Sequence, residues 1–417
     1  MARSPISPGA DAEATPPREG LGRLFLRFLR FGFLAWGGPV AQIAMIRREL
    51  VEEERWLSSG RFNRVLAVYQ ALPGPEAHEL CVHFGMLARG RAGGLLAGLG
   101  FMLPGFVLMF ALSWFYVSFG IESPLYRSVF AGLQAAVLAL IVRAIHRIGA
   151  HALHDRWLWA IALVAFVCAL LGLPFVLTLG LAGATYLLVS RRLLLPAAML
   201  LVVTAAVLAV TVVAEDVELP FGEPVTSDVV GDDVRVRAGE GELLVSGLRA
   251  GLLTFGGAYT AIPVLQHDAV TDHGWMTNRQ FLDGVALSGT LPAPLIIFST
   301  FVGYVAGTPL GAVAITIGVF LPAFAFTLLG HRYLEWLVER RPVHAFLDGV
   351  TAGVVGLIAA SAVLLAPVAI SSPIGIIVFT AALGVIYVWT ARSAIAIVMV
   401  GSGLLSLTLI WVADLFP

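Results

Sequence analysis

Apolar stretches of about 17–25 residues, the length that carries a helix across roughly 30 Å of hydrocarbon, follow one another along this chain almost without interruption. They lie at 24–45, 62–89, 92–118, 125–149, 157–173, 175–190 and 193–213, then at 243–265, 281–305, 309–334, 345–367, 373–390 and 393–413. The tally of thirteen, seven plus six, predicts an all-α polytopic membrane protein embedded in a lipid bilayer. A charged share of 13%, against roughly 25% in an average soluble domain, excludes an ordinary water-soluble globule. The 26 basic and 27 acidic residues nearly cancel, so no global charge points to nucleic acid. Every basic residue is arginine, which removes both Schiff-base chemistry and the lysine of a phosphate-binding Walker loop. Cys81 and Cys168 sit far apart in apolar runs and suggest neither a disulfide framework nor a zinc site.

The expected organisation is a disordered, uncleaved tail over 1–20, a first repeat over 21–213, an acidic extracytoplasmic linker over 214–242 and a second repeat over 243–417. The linker holds nine carboxylates against Arg235 and Arg237. Short cytoplasmic loops carry the excess of arginine. With the amino terminus inside, Arg89/Arg91, Arg147/Arg156, Arg191/Arg192, Arg279, Arg332/Arg340/Arg341 and Arg392 all fall inside and the carboxyl terminus outside. Arg47–Arg61 mixes signs and decides little; its charged run ending at Trp56 reads as an interfacial helix held at the headgroups. His146, His151 and His154 read as a solvated loop face.

Sliding the sequence on itself by 219 positions superposes Gly37-Gly38 on Gly256-Gly257, Trp56 on Trp275, Phe62 on Phe281, and Leu72-Pro73-x-Pro75 on Leu291-Pro292-x-Pro294. The chain is a tandem duplication. Because the first half has one more candidate span, the two halves should face opposite ways, as inverted-topology repeats with substrate near the midplane. That parity survives if the first two spans of each half are re-entrant hairpins.

Proline and glycine inside a span free backbone groups that hydrocarbon cannot satisfy, so such breaks persist where they are buried or line a cavity. Trp36-Gly37-Gly38-Pro39 and Phe255-Gly256-Gly257 break the first span of each half; Pro73-Gly74-Pro75 and Pro292-Ala293-Pro294 break the second. Half-helices beginning after Pro75 and Pro294 point unpaired N–H groups and positive dipole ends at the break, a ready place for an anion. Pro104-Gly105 and Pro322-Ala323 read as kinks that shape packing.

Glu76, His78, Glu79 and His83 cluster just after the Pro73-Gly74-Pro75 break. Glu79 and His83, four apart, share a helix face and are expected to pair and exchange a proton. Glu76, in the first helical turn, also fits ordinary cap chemistry. His78 and His83 are five apart, on different faces, so no metal site is expected. Arg64 and Asp283 are equivalent under the shift and read as snorkelling ends, with a cross-repeat ion pair as the alternative.

The combination of Phe31-Gly32-x-x-x-Trp36-Gly37-Gly38-Pro39, Glu54-x-Trp56-Leu57, Leu72-Pro73-Gly74-Pro75-Glu76-Ala77, Gly85 and Leu103-Pro104 recurs in kind further on. There it reads Thr254-Phe255-Gly256-Gly257-Ala258-Tyr259, Gly274-Trp275, Phe281-Leu282-Asp283-Gly284-Val285-Ala286-Leu287, Phe301-Val302-Gly303-Tyr304 and Phe346-Leu347-Asp348-Gly349-Val350. In these motifs the chain resembles the bidomain chromate ion transporter family, over roughly 24–149 and 243–365. The resemblance implies proton-motive efflux of chromate from the bacterial cytoplasm and chromate resistance. Its proline-glycine-proline element maps onto Pro73, Gly74 and Pro75, and its glycine pair onto Gly37 and Gly38. Two departures stand out: His78-Glu79 follows the first element, and Ala293 replaces the usual glycine of the second.

The leading expectation is a secondary active transporter for a tetrahedral dianion, chromate or a related oxyanion such as sulfate. Its substrate would meet Gly37, Gly38, Pro73, Gly74, Pro75, Glu76, His78, Gly256, Gly257, Thr290, Pro292, Ala293 and Pro294, with Glu79 and His83 coupling to protons. A passive anion channel would use the same helix ends. An intramembrane enzyme built on His78, Glu79 and His83 lacks a nucleophile with a base at helical spacing. No cofactor or metal is expected, and the residues do not decide between a monomer and a homodimer.

Overall fold

The computed structural model describes residues 19–119, 123–173, 175–214, 237–255, 257–338, 340–389 and 394–415. The tail, most of the acidic linker and Gly256 lie outside the described residues. The first half contributes α1 (Leu21–Phe33), α2 (Gly38–Ile46) with a π-helical continuation (Arg47–Glu53), α3 (Ser59–Ala71), α4 (Glu76–Phe119), α5 (Pro124–Ala152), α6 (Arg156–Leu170), α7 (Phe175–Ser190) and α8 (Leu194–Ala214). The second half contributes α9 (Glu240–Leu252), a 3-10 turn (Ala258–Thr260), α10 (Ala261–Gln266) with its own π-helical continuation (His267–Asp272), and α11 (Asn278–Gly289). There follow a second 3-10 turn (Leu295–Ile297), α12 (Phe298–Ala306), α13 (Pro309–Val338), α14 (Arg341–Ala369), α15 (Pro373–Val388) and α16 (Ala394–Leu415). In α4 the backbone leaves helical geometry at Arg89 and Gly90, which divides it into limbs over 76–88 and 91–119.

The duplication extends to fine backbone detail. A π-helical turn follows α2 and α10 alike, and the residue before each buried tryptophan, Arg55 or Gly274, has a positive φ of 55° or 59°. α8 has no counterpart among the described helices of the second half and supplies the odd element.

Four of the thirteen candidate spans, 24–45, 62–89, 243–265 and 281–305, are folded back on themselves and do not run straight. Phe62 stacks on Phe84 with ring centroids 6.3 Å apart, whereas 22 residues of continuous helix would separate them by about 33 Å. In the second half Phe281 and Phe298 are 5.6 Å apart, and the Ser288 hydroxyl donates to the Leu295 carbonyl at 2.7 Å. The first hairpins close in the same way: Arg30 meets Glu49 at 3.0 Å, and Arg249 meets Asp268, its equivalent, at 3.7 Å. The proline and glycine breaks reverse the chain. α3, with 13 residues, is about 20 Å long, short of the hydrocarbon thickness.

The remaining helices begin and end close to the expected apolar stretches. Among the described residues five are long and apolar enough to cross a membrane, within Glu76–Phe119, Pro124–Ala152, Pro309–Gly330, Pro342–Ala369 and Ala394–Ala413, and shorter apolar helices accompany them. This is an all-helical, multi-pass membrane protein. Its two halves are interleaved: α5 packs on α15 and α16, while α14 packs on α6 and α7. Gly94 faces Leu328 and Gly98 faces Phe324, so the second limb of α4 and its equivalent α13 run antiparallel.

Pro104 and Pro322 remain inside their helices and pack against Gly32 and Gly251, so this third pair does shape packing. Trp56 departs from expectation. It is 1% exposed, sits under the Arg27 guanidinium and donates from Nε1 to Glu54 at 2.8 Å. It belongs to a core with Phe28, Phe62 and Phe84 and is not a headgroup anchor.

Candidate functional site

The hairpins end in four tips, and the tips are joined across the duplication. Gly74, at φ 152°, donates its N–H to the Thr254 carbonyl at 2.8 Å, linking the second hairpin of the first half to the first hairpin of the second half. The equivalent pairing is made by a side chain. Gln42 Nε2 donates to the Ala35 carbonyl at 2.9 Å and to the Ala293 carbonyl at 3.2 Å. Around these bonds the packing is reciprocal: Ala323 is seated against Gly74, and Ala293 against Gly105. Gly74 corresponds to Ala293 and Gly105 to Ala323, so each half presents equivalent positions to the other, a glycine from the first half meeting an alanine from the second both times.

The expected site residues fall on these tips. Gly37 and Gly38 have φ of 91° and 76° in the turn between α1 and α2, and Gly257 has φ 122° in the matching turn. Between the arms of the first hairpin a cavity of about 480 Å³, lined by Arg30, Arg48, Glu49 and Glu53 among others, reaches Trp36 beside this glycine pair. Thr290 caps α11, its hydroxyl donating to the Leu287 carbonyl at 2.7 Å, and Pro292 and Pro294 flank Ala293.

The amides at the two proline breaks are not all unpaired, contrary to the simple half-helix picture. That of Gly74 goes to Thr254, and that of Ala293 turns back to the Leu291 carbonyl at 3.0 Å. Those of His78 and Glu79 both reach the Pro75 carbonyl. Glu76 and Ala77 precede any acceptor in their own helix and are therefore the donors at this end, as Leu295 and Ile296 are at the other.

The limb leaving Pro75 carries polar groups that are buried and poorly partnered. Glu76 is 7% exposed, and His78 and Glu79 are fully buried. His78 lies between Phe320 and Phe324 of α13, centroids 4.9 and 4.7 Å away, and neither ring nitrogen makes a well-formed hydrogen bond. Both Glu79 oxygens are without a hydrogen-bond partner. The direct Glu79–His83 pair expected from helical spacing is therefore absent. His83 Nδ1 lies 3.1 Å from the Tyr69 hydroxyl, and the Glu79 carboxyl group folds back onto Gly74.

Asp283 is not a snorkelling end. It is 3% exposed and accepts from Gln134 Nε2 at 2.7 Å and from the Tyr116 hydroxyl at 2.8 Å, both from the first half. Arg64, its equivalent, is exposed. Arg143, unmarked in the sequence except as an arginine within an apolar stretch, has its guanidinium 5.5 Å from the Tyr387 ring centre and one buried Nη without a hydrogen-bond partner. Arg143 and Arg147 lie within electrostatic reach of Tyr259, and Arg147 also of Glu76. The fifth helix thus turns cationic groups toward two of the tips.

A family model described as the chromate transporter matches residues 22–216 and 241–407, spanning both halves. The chain belongs to the chromate transporter family. It is 55% identical to a chromate transport protein of Pseudomonas aeruginosa over 95% of this chain and 94% of that one. It is 32% identical to a chromate transport protein of Cupriavidus metallidurans over 87% and 86% of the two chains. An uncharacterized transporter of Bacillus subtilis, YwrB, matches at 29% over 35% of this chain and 73% of its own, close to a single repeat. No solved structure matches the chain.

Proposed function

We propose that this protein exports chromate across the bacterial cytoplasmic membrane, driven by the proton-motive force, and so confers chromate resistance. The observation that carries the reading is the reciprocal docking of four broken-helix tips beside buried, unpartnered Glu79 in a chain of this family. A tetrahedral dianion suits such a place. First-turn amides at Glu76 and Ala77 and at Leu295 and Ile296 supply donors, dipole ends supply positive potential, and Arg143 and Arg147 offset the second charge. Gly37, Gly38, Gly74, Gly256, Gly257, Thr290 and Ala293 let the backbone approach the substrate, with Pro73, Pro75, Pro292 and Pro294 holding the breaks open. Glu79 and His83 couple the cycle to protons.

Antiparallel packing of α13 on the second limb of α4 supports an inverted repeat with its axis in the membrane plane. With the four hairpins re-entrant, nine crossings remain: the second limb of α4, α5 to α8, and α13 to α16. Parity is unchanged, so the amino terminus stays inside and the carboxyl terminus outside. Arg47, Arg48, Arg55 and Arg61 then join the cytoplasmic face, in keeping with the charge rule, while Arg279 moves outside.

The test is uptake of labelled chromate and sulfate into inside-out vesicles across imposed pH gradients. Uphill chromate uptake that a protonophore abolishes is expected; uptake only down its gradient would mean a channel, and preference for sulfate another cargo. Paired Gly74→Val and Ala293→Val substitutions should abolish flux while the protein stays in the membrane, because residue 74 has a left-handed φ and no room for a side chain. Intact flux would place the site elsewhere.

A further inference from the structure

Glu79 sits where a substrate anion would. A methyl group built on Gly74 would lie 2.8 Å from Glu79 Oε1 and 2.9 Å from its Cδ, so the carboxyl group fills the space at the turn of the proline break. The side chain is fully buried and both oxygens lack a hydrogen-bond partner. A charged carboxylate at this depth costs several kcal/mol unless it is neutralised or its charge is met. The carboxyl group lies at the same turn as the positive dipole end of the limb over 76–88, which is the end proposed to hold the oxyanion, and neither of its oxygens is hydrogen-bonded there.

We propose that Glu79 and the transported oxyanion occupy the Pro73-Gly74-Pro75 tip in turn: the anion enters as Glu79 takes up a proton and swings away, and Glu79 returns as the anion leaves. The inference rests on the transport reading above and gives the sense of coupling: a doubly negative anion leaves with one proton, so each cycle moves one net negative charge outward, and the membrane-potential part of the proton-motive force draws chromate out. Two negative groups cannot share one helix end, so each anion bound carries one proton onto Glu79. The neighbourhood leaves Glu79 as the acid in contact with the tip. On its own limb the other titratable groups are Glu76, His78, Cys81 and His83, with His83 held by Tyr69 of α3. From α13 it meets Ala323, with Phe320 and Phe324 enclosing His78; from α9 comes the Thr254 carbonyl; from α5 Arg147 reaches Glu76.

Equilibrium binding of labelled chromate to the purified full-length protein, measured across a range of pH, tests this. Chromate itself takes up a proton near neutrality, so wild type is compared with Glu79→Gln in the same buffers. Wild-type affinity should fall about tenfold per pH unit more steeply than that of the variant, as one linked proton requires. Glu79→Gln should bind more tightly than wild type at high pH and about as tightly as wild type at low pH, each pair compared in the same buffer. Equal pH dependence in the two proteins overturns the proposal, and so does loss of binding in a monodisperse Glu79→Gln protein, which would make Glu79 a ligand and not a competitor. Should Glu79→Gln fail to fold, Glu79→Asp, whose shorter side chain withdraws from Gly74, is expected to bind more tightly than wild type at high pH; unchanged affinity overturns the proposal. Wild type that binds no chromate at any pH overturns the transport reading itself.

Discussion

Gln42 joins two broken helices with a single amide group, one bond staying within its own hairpin and the other crossing to the second half. Hydrogen bonds between membrane helices are worth about 0.6–2 kcal/mol each. Gln42→Leu should therefore lower the thermal unfolding midpoint in detergent by a few degrees, about 2–4 °C for each kcal/mol in a mid-sized protein. An unchanged midpoint would mean that the Gln42 bonds add nothing to the packing of Ala293 and the Gly74–Thr254 bond. Nothing in the sequence marks Gln42, because its equivalent is Ala261 and comparison of the halves passes over it. Glu79 was legible as a buried acid but not in its direction. Helical side chains lean toward the amino end, so Glu79 reaches back to Gly74 and not forward to His83. The tip residues themselves were legible, since doubled prolines and glycines have few uses inside an apolar stretch.

At the scale of the element, an apolar run does not distinguish a straight span from a hairpin whose legs are wrapped in protein. Both exclude water and both read as hydrophobic. The breaks at Gly37-Gly38 and Gly74 told where the helix stops, but reversal is set by contacts distant in sequence, such as Arg30 with Glu49 and Phe62 with Phe84. Trp56 was misplaced for the same reason, its neighbours Arg27 and Phe84 lying on other elements. In a protein freed of Cys81 and Cys168, Ser59→Cys and Arg91→Cys should react with an impermeant thiol reagent from the same side of the membrane, and Thr308→Cys from the opposite side. Ser59 and Arg91 on opposite faces would restore a straight span; Arg91 and Thr308 on one face would make the repeat parallel.

At the scale of the molecule, a symmetric scaffold carries one-sided chemistry. Glu76, His78, Glu79 and His83 correspond to Leu295, Ile297, Phe298 and Val302, so the second half repeats the broken backbone without its acids and imidazoles. Asp283, by contrast, has its polar partners on the first half. On the function proposed above, the duplication would supply the two hinges of an alternating-access cycle, and the divergence would confine proton coupling to the first of them. The interleaving of α5 with α15 and α16, and of α14 with α6 and α7, ties the halves into one body.

The most direct measurement places a single cysteine at Thr290, beside the second proline break, and follows its modification by a small thiol reagent in native membranes. If the tips hold the transported anion, saturating chromate slows that modification several-fold, and the protection disappears when Gly74→Val is added. A rate indifferent to chromate at concentrations that saturate transport would contradict the account and move the substrate path away from the broken helices.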